Sequence, residues 1–112
     1  MKTQRTWGYY HVLHEVGTHT KVKELTVMPK TCLSMQRHAQ RAEFWFVAEG
    51  EATVYTLDSS TDRDIKDQLT KHQHSWIALN EWHQLCNETD QPLRLIEIQY
   101  GDNCVEEDIT RL

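Results

Sequence analysis

The chain is punctuated at short, regular intervals. Runs of apolar or alternating residues last five to eight positions and then meet a turn-forming group. Residues 21–27 are rich in β-branched side chains and end before Pro29. Residues 43–48 are apolar and aromatic, and Glu49-Gly50-Glu51 closes them as a turn. Residues 52–57 follow at hairpin distance. Residues 75–79 and 83–87 read as two more strands around a tight turn at Asn80-Glu81-Trp82. Residues 93–100 alternate over their later half, after Pro92, and stop at Gly101-Asp102. Helical periodicity is thin by comparison. Short strands with turn signals between them predict an all-β sandwich or barrel. Residues 58–64 read as a polar surface loop. Residues 106–112 read as a short helix or a frayed end. With 112 residues the chain has room for a single domain, spanning 1–112.

Composition removes several function classes. Twelve Lys+Arg stand against 17 Asp+Glu, for a net charge of −5. A nucleic-acid binder should show a basic patch instead, so no nucleic-acid partner is expected. No apolar run approaches the ~20 residues of a membrane-crossing helix. The first residues lack the apolar stretch of a signal peptide, so a cytoplasmic protein is expected. Cys32, Cys86 and Cys104 are an odd set without a CxxC pair, and are expected as reduced thiols. The four glycines are isolated, which excludes a Gly-rich phosphate loop. Seven histidines remain to be explained.

Gln36, His38, Glu43 and His83 are the group with chemical potential. Alternate residues of a strand share a face, so Gln36 and His38 point together. Glu43 has the opposite parity, and a turn through residues 39–42 would bring it back beside them. His83 comes from a later strand. Two imidazoles, a carboxylate and an amide oxygen make a mixed N/O shell suited to Zn, Fe, Mn, Co or Ni. Spacing alone leaves two readings open, a metal shell with positions free for substrate or four ordinary polar positions.

The same residues resemble the two-part signature of the cupins, G-x5-H-x-H-x3–4-E-x6-G and G-x5-P-x-G-x2-H-x3-N. Lys30, Gln36, His38, Glu43 and Gly50 fall at the spacings of the first part. His72, Ala78, Asn80, His83 and Asn87 fall at those of the second. Asn suits a glycine position because it tolerates the left-handed conformation. Lys30 and Ala78 imply adjusted turns.

More specifically, the chain is similar to the cupin domain of type II mannose-6-phosphate isomerases, often the C-terminal part of bifunctional guanylyltransferase/isomerase enzymes. Arg5-Thr6-Trp7-Gly8-Tyr9-Tyr10, Lys21-Val22-Lys23 and residues 33–45 match in order. So do Ile96-Glu97-Ile98-Gln99-Tyr100-Gly101 and residues 106–111. The resemblance implies a double-stranded β-helix, or jelly roll, and a divalent metal on Gln36, His38, Glu43 and His83. It implies aldose–ketose isomerisation of a sugar phosphate through an enediol, serving nucleotide-sugar or polysaccharide synthesis. Arg41, inside the family's R-A-E motif, is implied as a catalytic or phosphate-contacting residue. The proton carrier would be Glu97, or Glu43 or His83 where these are not ligands. The family pattern has His where this chain has Gln40 and Phe44, and Pro where it has Thr6. No guanylyltransferase activity is expected of these 112 residues.

Lys21 and Lys23 share a strand face, to meet a phosphate or to decorate a solvated edge. Gln40 is a candidate for the pocket wall and substrate binding. Trp7, Tyr9 and Tyr10 are expected in the core or at a dimer contact rather than at a pocket mouth. Trp76 is expected in the core, and Trp82 packed on its turn. The other five histidines are expected at the surface. Outward-facing Phe44 and Phe46 would leave an apolar patch on a monomer, so a homodimer is expected. Two further functions compete with the isomerase. One is a metal-poor cupin that binds a sugar or nucleotide sugar without turnover. The other is a cupin dioxygenase or epimerase.

Overall fold

The computed structural model describes residues 1–57 and 62–112. Among the described residues the chain forms twelve strands and no helix. They are β1 (Thr3–Arg5), β2 (Gly8–Val16), β3 (Thr20–Val27), β4 (Thr31–Cys32), β5 (Gln36–Arg37) and β6 (Arg41–Glu49). There follow β7 (Ala52–Leu57), β8 (Arg63–Leu69), β9 (His74–Ile77), β10 (His83–Asn87), β11 (Leu93–Gly101) and β12 (Thr110–Arg111). Among the described residues no helix is long and apolar enough to cross a membrane.

Two antiparallel sheets face each other. One runs β1-β2-β3-β11-β6-β9, and the other runs β12-β5-β10-β7-β8 with β4 also paired to β10. This is the expected jelly roll. Strands distant in sequence become neighbours, as when β11 lies between β3 and β6.

The inward side chains of these three strands change character along their length. At one end Leu25, Val27, Val47, Leu93 and Leu95 pack with Val54, Leu85 and Ile77 into a dry core. At the other end the inward positions are Lys23, Arg41, Glu43, Glu97 and Gln99, all buried. Period-two alternation is unbroken through both halves. One end of the barrel therefore holds the fold, and the other holds chemistry.

The outward positions of the central strands are also apolar. Phe44, Phe46, Ile96 and Ile98 are half-buried there. Trp76 pairs across from Phe44 and is 56% exposed, against the expectation that it lies in the core. In β9 the inward residues are Ser75 and Ile77, and a one-residue change of phase sends Trp76 outward.

Other expectations need correcting. Cys32 and Cys86 are bonded as a disulfide, not held as reduced thiols; they face each other across the β4–β10 ladder. Neither the odd count nor the lack of CxxC reports on cross-strand proximity. Cys104 is free and buried. The tail is neither helix nor frayed end, because β12 pairs with β5. Of the loop expected at residues 58–64, residues 58–61 lie outside the described residues, while Arg63 and Asp64 belong to β8.

Of the two positions expected to adjust their turns, Lys30 keeps a left-handed conformation, and Ala78 is not left-handed. Lys30, His72 and Asn80 have φ of 60°, 71° and 61°, and these are the signature's glycine positions. Local contacts hold the left-handed conformation. Lys30 Nζ donates to the Glu88 carbonyl at 2.8 Å, His72 stacks on Phe46, and Asn80 N–H donates to the His38 carbonyl at 2.8 Å. A left-handed L-residue costs about 1–2 kcal/mol, least for Asn and Gly. Asn80→Val should therefore destabilise the fold by about 1–2 kcal/mol, and Asn80→Gly should stay within a few tenths of a kcal/mol of wild type. Urea denaturation checks both; equal midpoints for the two variants would contradict the conformational account.

Candidate metal and substrate site

The polar end of the barrel opens into a cavity of about 390 Å³, within the usual size of a small-molecule site. His83, Glu43 and Arg41 line it from β10 and β6, Glu97 and Gln99 from β11, and Lys23 from β3. Trp7 and Tyr10 also line it, so these aromatics contribute to the cavity wall as well as to packing.

The turn needed to reset Glu43 is present between β5 and β6. Asp108 pins it, its two carboxylate oxygens accepting from Ala39 N–H at 3.0 Å and Gln40 N–H at 2.8 Å. Gly101 lets it approach: a Cβ there would stand 2.4 Å from the Gln40 carbonyl oxygen and 2.9 Å from Arg41 Cα. The turn points Arg41 and Glu43 inward beside His38.

Glu43 lies between the two imidazoles. Its Oε2 is 3.5 Å from His38 Nε2 and its Oε1 is 3.5 Å from His83 Nε2. Ligand atoms of the three residues all lie within 4.8 Å of one another. Each imidazole has its far nitrogen tied to a carbonyl, His38 Nδ1 to Asp108 O at 2.6 Å and His83 Nδ1 to Glu81 O at 2.8 Å. A carbonyl only accepts, so Nδ1 carries the proton and Nε2 presents a lone pair to the site. That is the tautomer a metal ligand requires, fixed by its outer partner. Burial, then the Arg41 charge, pulls His38 down to about 4. Burial also lowers His83. Both rings are held neutral and able to coordinate. The three residues fit a divalent transition metal by donor type, tautomer and spacing.

Gln36 sits across the ladder from His83 and lines the same cavity. Its Nε2 donates to the Ser34 carbonyl and hydroxyl, both at 3.3 Å. Gln40 is exposed and is not among the residues lining the cavity, so the structure does not place it where a pocket-wall residue would be.

Arg41 is buried and committed to its neighbours. Nε donates to Glu43 Oε2 at 3.0 Å, NH1 to the Val105 carbonyl at 3.1 Å, and NH2 lies 3.3 Å from His38 Nε2. It positions the cluster, and a metal on His38 must displace the last of these contacts. Burial holds Glu43 above the usual carboxylate range, while Arg41 opposes that shift.

Glu97 accepts from Trp45 Nε1 at 3.0 Å and from Gln99 Nε2 at 2.7 Å. Burial, reinforced by the negative charge of Glu43, raises its pKa. A buried carboxyl poised above its ordinary range suits proton transfer.

Lys21 and Lys23 are not on a solvated edge, because β3 lies inside the sheet between β2 and β11. Lys23 Nζ meets both carboxylate oxygens of Glu106, at 3.1 and 2.9 Å, and Lys21 Nζ is 3.6 Å from one of them. Burial raises Glu106, but the Lys23 charge and hydrogen bond outweigh it and hold the carboxyl below its usual range.

The tail was the part of the site that sequence reasoning missed. Val105, Glu106 and Asp108 contact Arg41, Lys23 and His38, and Ile109 and Arg111 line the cavity. The one available signal was the family match at residues 106–111, which marked the segment without saying what it touches.

The family model described as "Mannose-6-phosphate isomerase C-terminal" matches residues 1–112. The chain belongs to this family. It is 40% identical over 110 residues to the xanthan biosynthesis protein XanB of Xanthomonas campestris, covering 98% of this chain and 22% of that protein. It is 40% identical over 108 residues to the alginate biosynthesis protein AlgA of Pseudomonas aeruginosa, covering 96% of this chain and 21% of the relative. This member of the mannose-6-phosphate isomerase C-terminal family thus spans about a fifth of the length of those relatives. Solved structures share the fold. The capsular polysaccharide assembling protein CapF of Staphylococcus aureus superposes with a TM-score of 0.86 at 13% identity, over 100% of this chain and 31% of that one. The oxalate decarboxylase of Lactobacillus farciminis gives 0.80 at 16% identity, over 100% and 33%.

His38→Ala and His83→Ala should each fold but retain less than a tenth of an equivalent of Zn or Co after gel filtration. Asp108→Ala, which frees the turn and leaves the ligands in place, should weaken metal affinity about 10–100-fold. Unchanged metal content in both histidine variants would exclude this cluster as the metal site.

Proposed function

We propose that this chain is a metal-dependent sugar-phosphate isomerase of the mannose-6-phosphate type, acting in the cytoplasm in nucleotide-sugar or polysaccharide synthesis. The observation that carries the reading is the His38–Glu43–His83 cluster, whose Glu43 and His83 line one cavity with Glu97 and Lys23, in a chain of this family. A divalent metal on the cluster, with Gln36 as a further ligand, would polarise the sugar carbonyl and stabilise the adjacent oxygens. Glu97 takes the proton from C2 of the aldose and returns it to C1 while the O2 hydroxyl proton passes to O1, so that one carboxyl serves both halves of the carbon-to-carbon transfer. Arg41 opposes the burial that raises Glu43 and orients its carboxyl. Lys21 and Lys23 hold the phosphate. Tyr10 and Trp7 wall the sugar from bulk water.

A second reading is binding of a sugar or nucleotide sugar without turnover. It draws on the Arg41 contact at His38 Nε2, which occupies a lone pair the metal needs.

The deciding experiment is a coupled assay interconverting mannose 6-phosphate and fructose 6-phosphate with Zn, Mn, Co, Ni or Fe. Turnover that Glu97→Gln lowers at least about 10²-fold, with metal content unchanged, is the expected result. No turnover with any ion, in protein that still binds the sugar phosphate, would favour the second reading.

Part of the same proposal is that a second copy of the chain covers the outer face around Phe44, Phe46 and Trp76. The support is that the outward side chains Phe44, Phe46, Ile96 and Ile98 of β6 and β11 are apolar and adjoin Trp76, which is 56% exposed. Light scattering on the eluting protein should give twice the chain mass, and Trp76→Glu should halve it. A wild-type monomer at high micromolar concentration would remove the dimer from the reading.

A further inference from the structure

The contact between Glu106 and the two lysines serves more than folding. Lys21 and Lys23 are fixed in an interior strand, paired on both sides with β2 and β11. Lys23 is 5% exposed, and its ammonium stands 4.2 Å from the centroid of the Tyr10 ring, on the cavity wall. Glu106 belongs to a turn outside the strands, and its side chain is 46% exposed. One partner is therefore buried inside a sheet, and the other reaches it from a half-exposed turn. The carboxylate meets Lys23 through both oxygens, as two oxygens of a phosphate would. Arg5 and Arg111 line the same cavity from β1 and β12, one at the edge of each sheet.

We propose that Lys21 and Lys23 form an anion subsite for the phosphoryl group of the ligand, and that the Glu106 carboxylate fills it until a phosphate displaces it. Arg5 and Arg111 complete the ring of positive charge once the phosphate is in. The inference rests on the reading of the cavity as a sugar-phosphate site, but not on turnover. Glu106 sets the threshold for entry: a neutral sugar does not compete for the lysines, whereas a dianion does. An ordinary structural ion pair would behave oppositely, since removing its acid would leave a buried lysine unpaired and give a ligand nothing.

The test is calorimetric titration of the full chain with inorganic phosphate, mannose 6-phosphate and mannose. Glu106→Gln should bind inorganic phosphate and mannose 6-phosphate at least tenfold more tightly than wild type, with mannose unchanged. Lys23→Gln should lose at least tenfold for both phosphates, and the double variant should follow Lys23→Gln. In the wild-type protein, saturating phosphate should speed hydrogen exchange in residues 103–109, so the proposal stays testable if a variant fails to fold. Unchanged or weaker phosphate binding by folded Glu106→Gln overturns it, as does unaltered exchange at saturation. Loss of isomerase activity with phosphate binding intact would count against the isomerase reading alone.

Discussion

Glu43 is the group on which the rest of this site depends. It is 2% exposed at the inner end of β6, where an unpaired carboxylate would be costly. Arg41, two residues earlier on the same face, supplies the compensating charge at 3.0 Å. Two imidazoles complete its surroundings, each turned by a carbonyl behind it so that Nε2 faces inward. Take Glu43 away and Arg41 becomes the buried, uncompensated charge. Take Arg41 away and the largest opposition to the burial that raises the carboxyl is gone. The two therefore stand or fall together, and with them the orientation of His38 and His83.

The barrel tolerates this cluster because its dry half is large enough to hold the fold without it. Val27, Val47, Leu93 and Leu95 are wholly buried at the far end of the same strands. Each strand is thus anchored by its apolar half and free to carry ionisable groups on the other. Sheet pairing fixes the register, so side chains two residues apart on β6 and β11 meet the same space without further devices. The tail adds what the barrel lacks, acceptors and carboxylates behind His38 and over the lysines.

Much of this was legible beforehand where a residue's role depends on its own strand. The apolar segment from Glu43 and the alternating one after Pro92 became β6 and β11, but the turn after residue 49 leads from β6 in one sheet to β7 in the other and closes no hairpin. The grouping of His38, Glu43 and His83 followed from spacing and family pattern together. What escaped lies in partners rather than in patterns. The strand β8 is charged and mostly exposed, as edge strands are, and gave no hydrophobic signal. The outer half of β2 is exposed as well. The Cys32–Cys86 bond and the contacts of Glu106 join residues 54 and 83 positions apart, and nothing local announces them. Trp76 was misplaced by a single step of phase, and Gln40 by extending a strand's parity into a turn.

The three left-handed residues carry a lesson about what a family signature encodes. Lysine, histidine and asparagine stand where the pattern asks for glycine, yet the backbone angles there are kept. The pattern is therefore a record of dihedral angles, with glycine as its cheapest spelling. Each substitution shifts the cost of the bend from the residue itself to whatever neighbour now props it up. Drift in such a lineage can erase the letters of a motif while the curve it described stays in place. A search tuned to the curve would find relatives that a search tuned to the letters passes by.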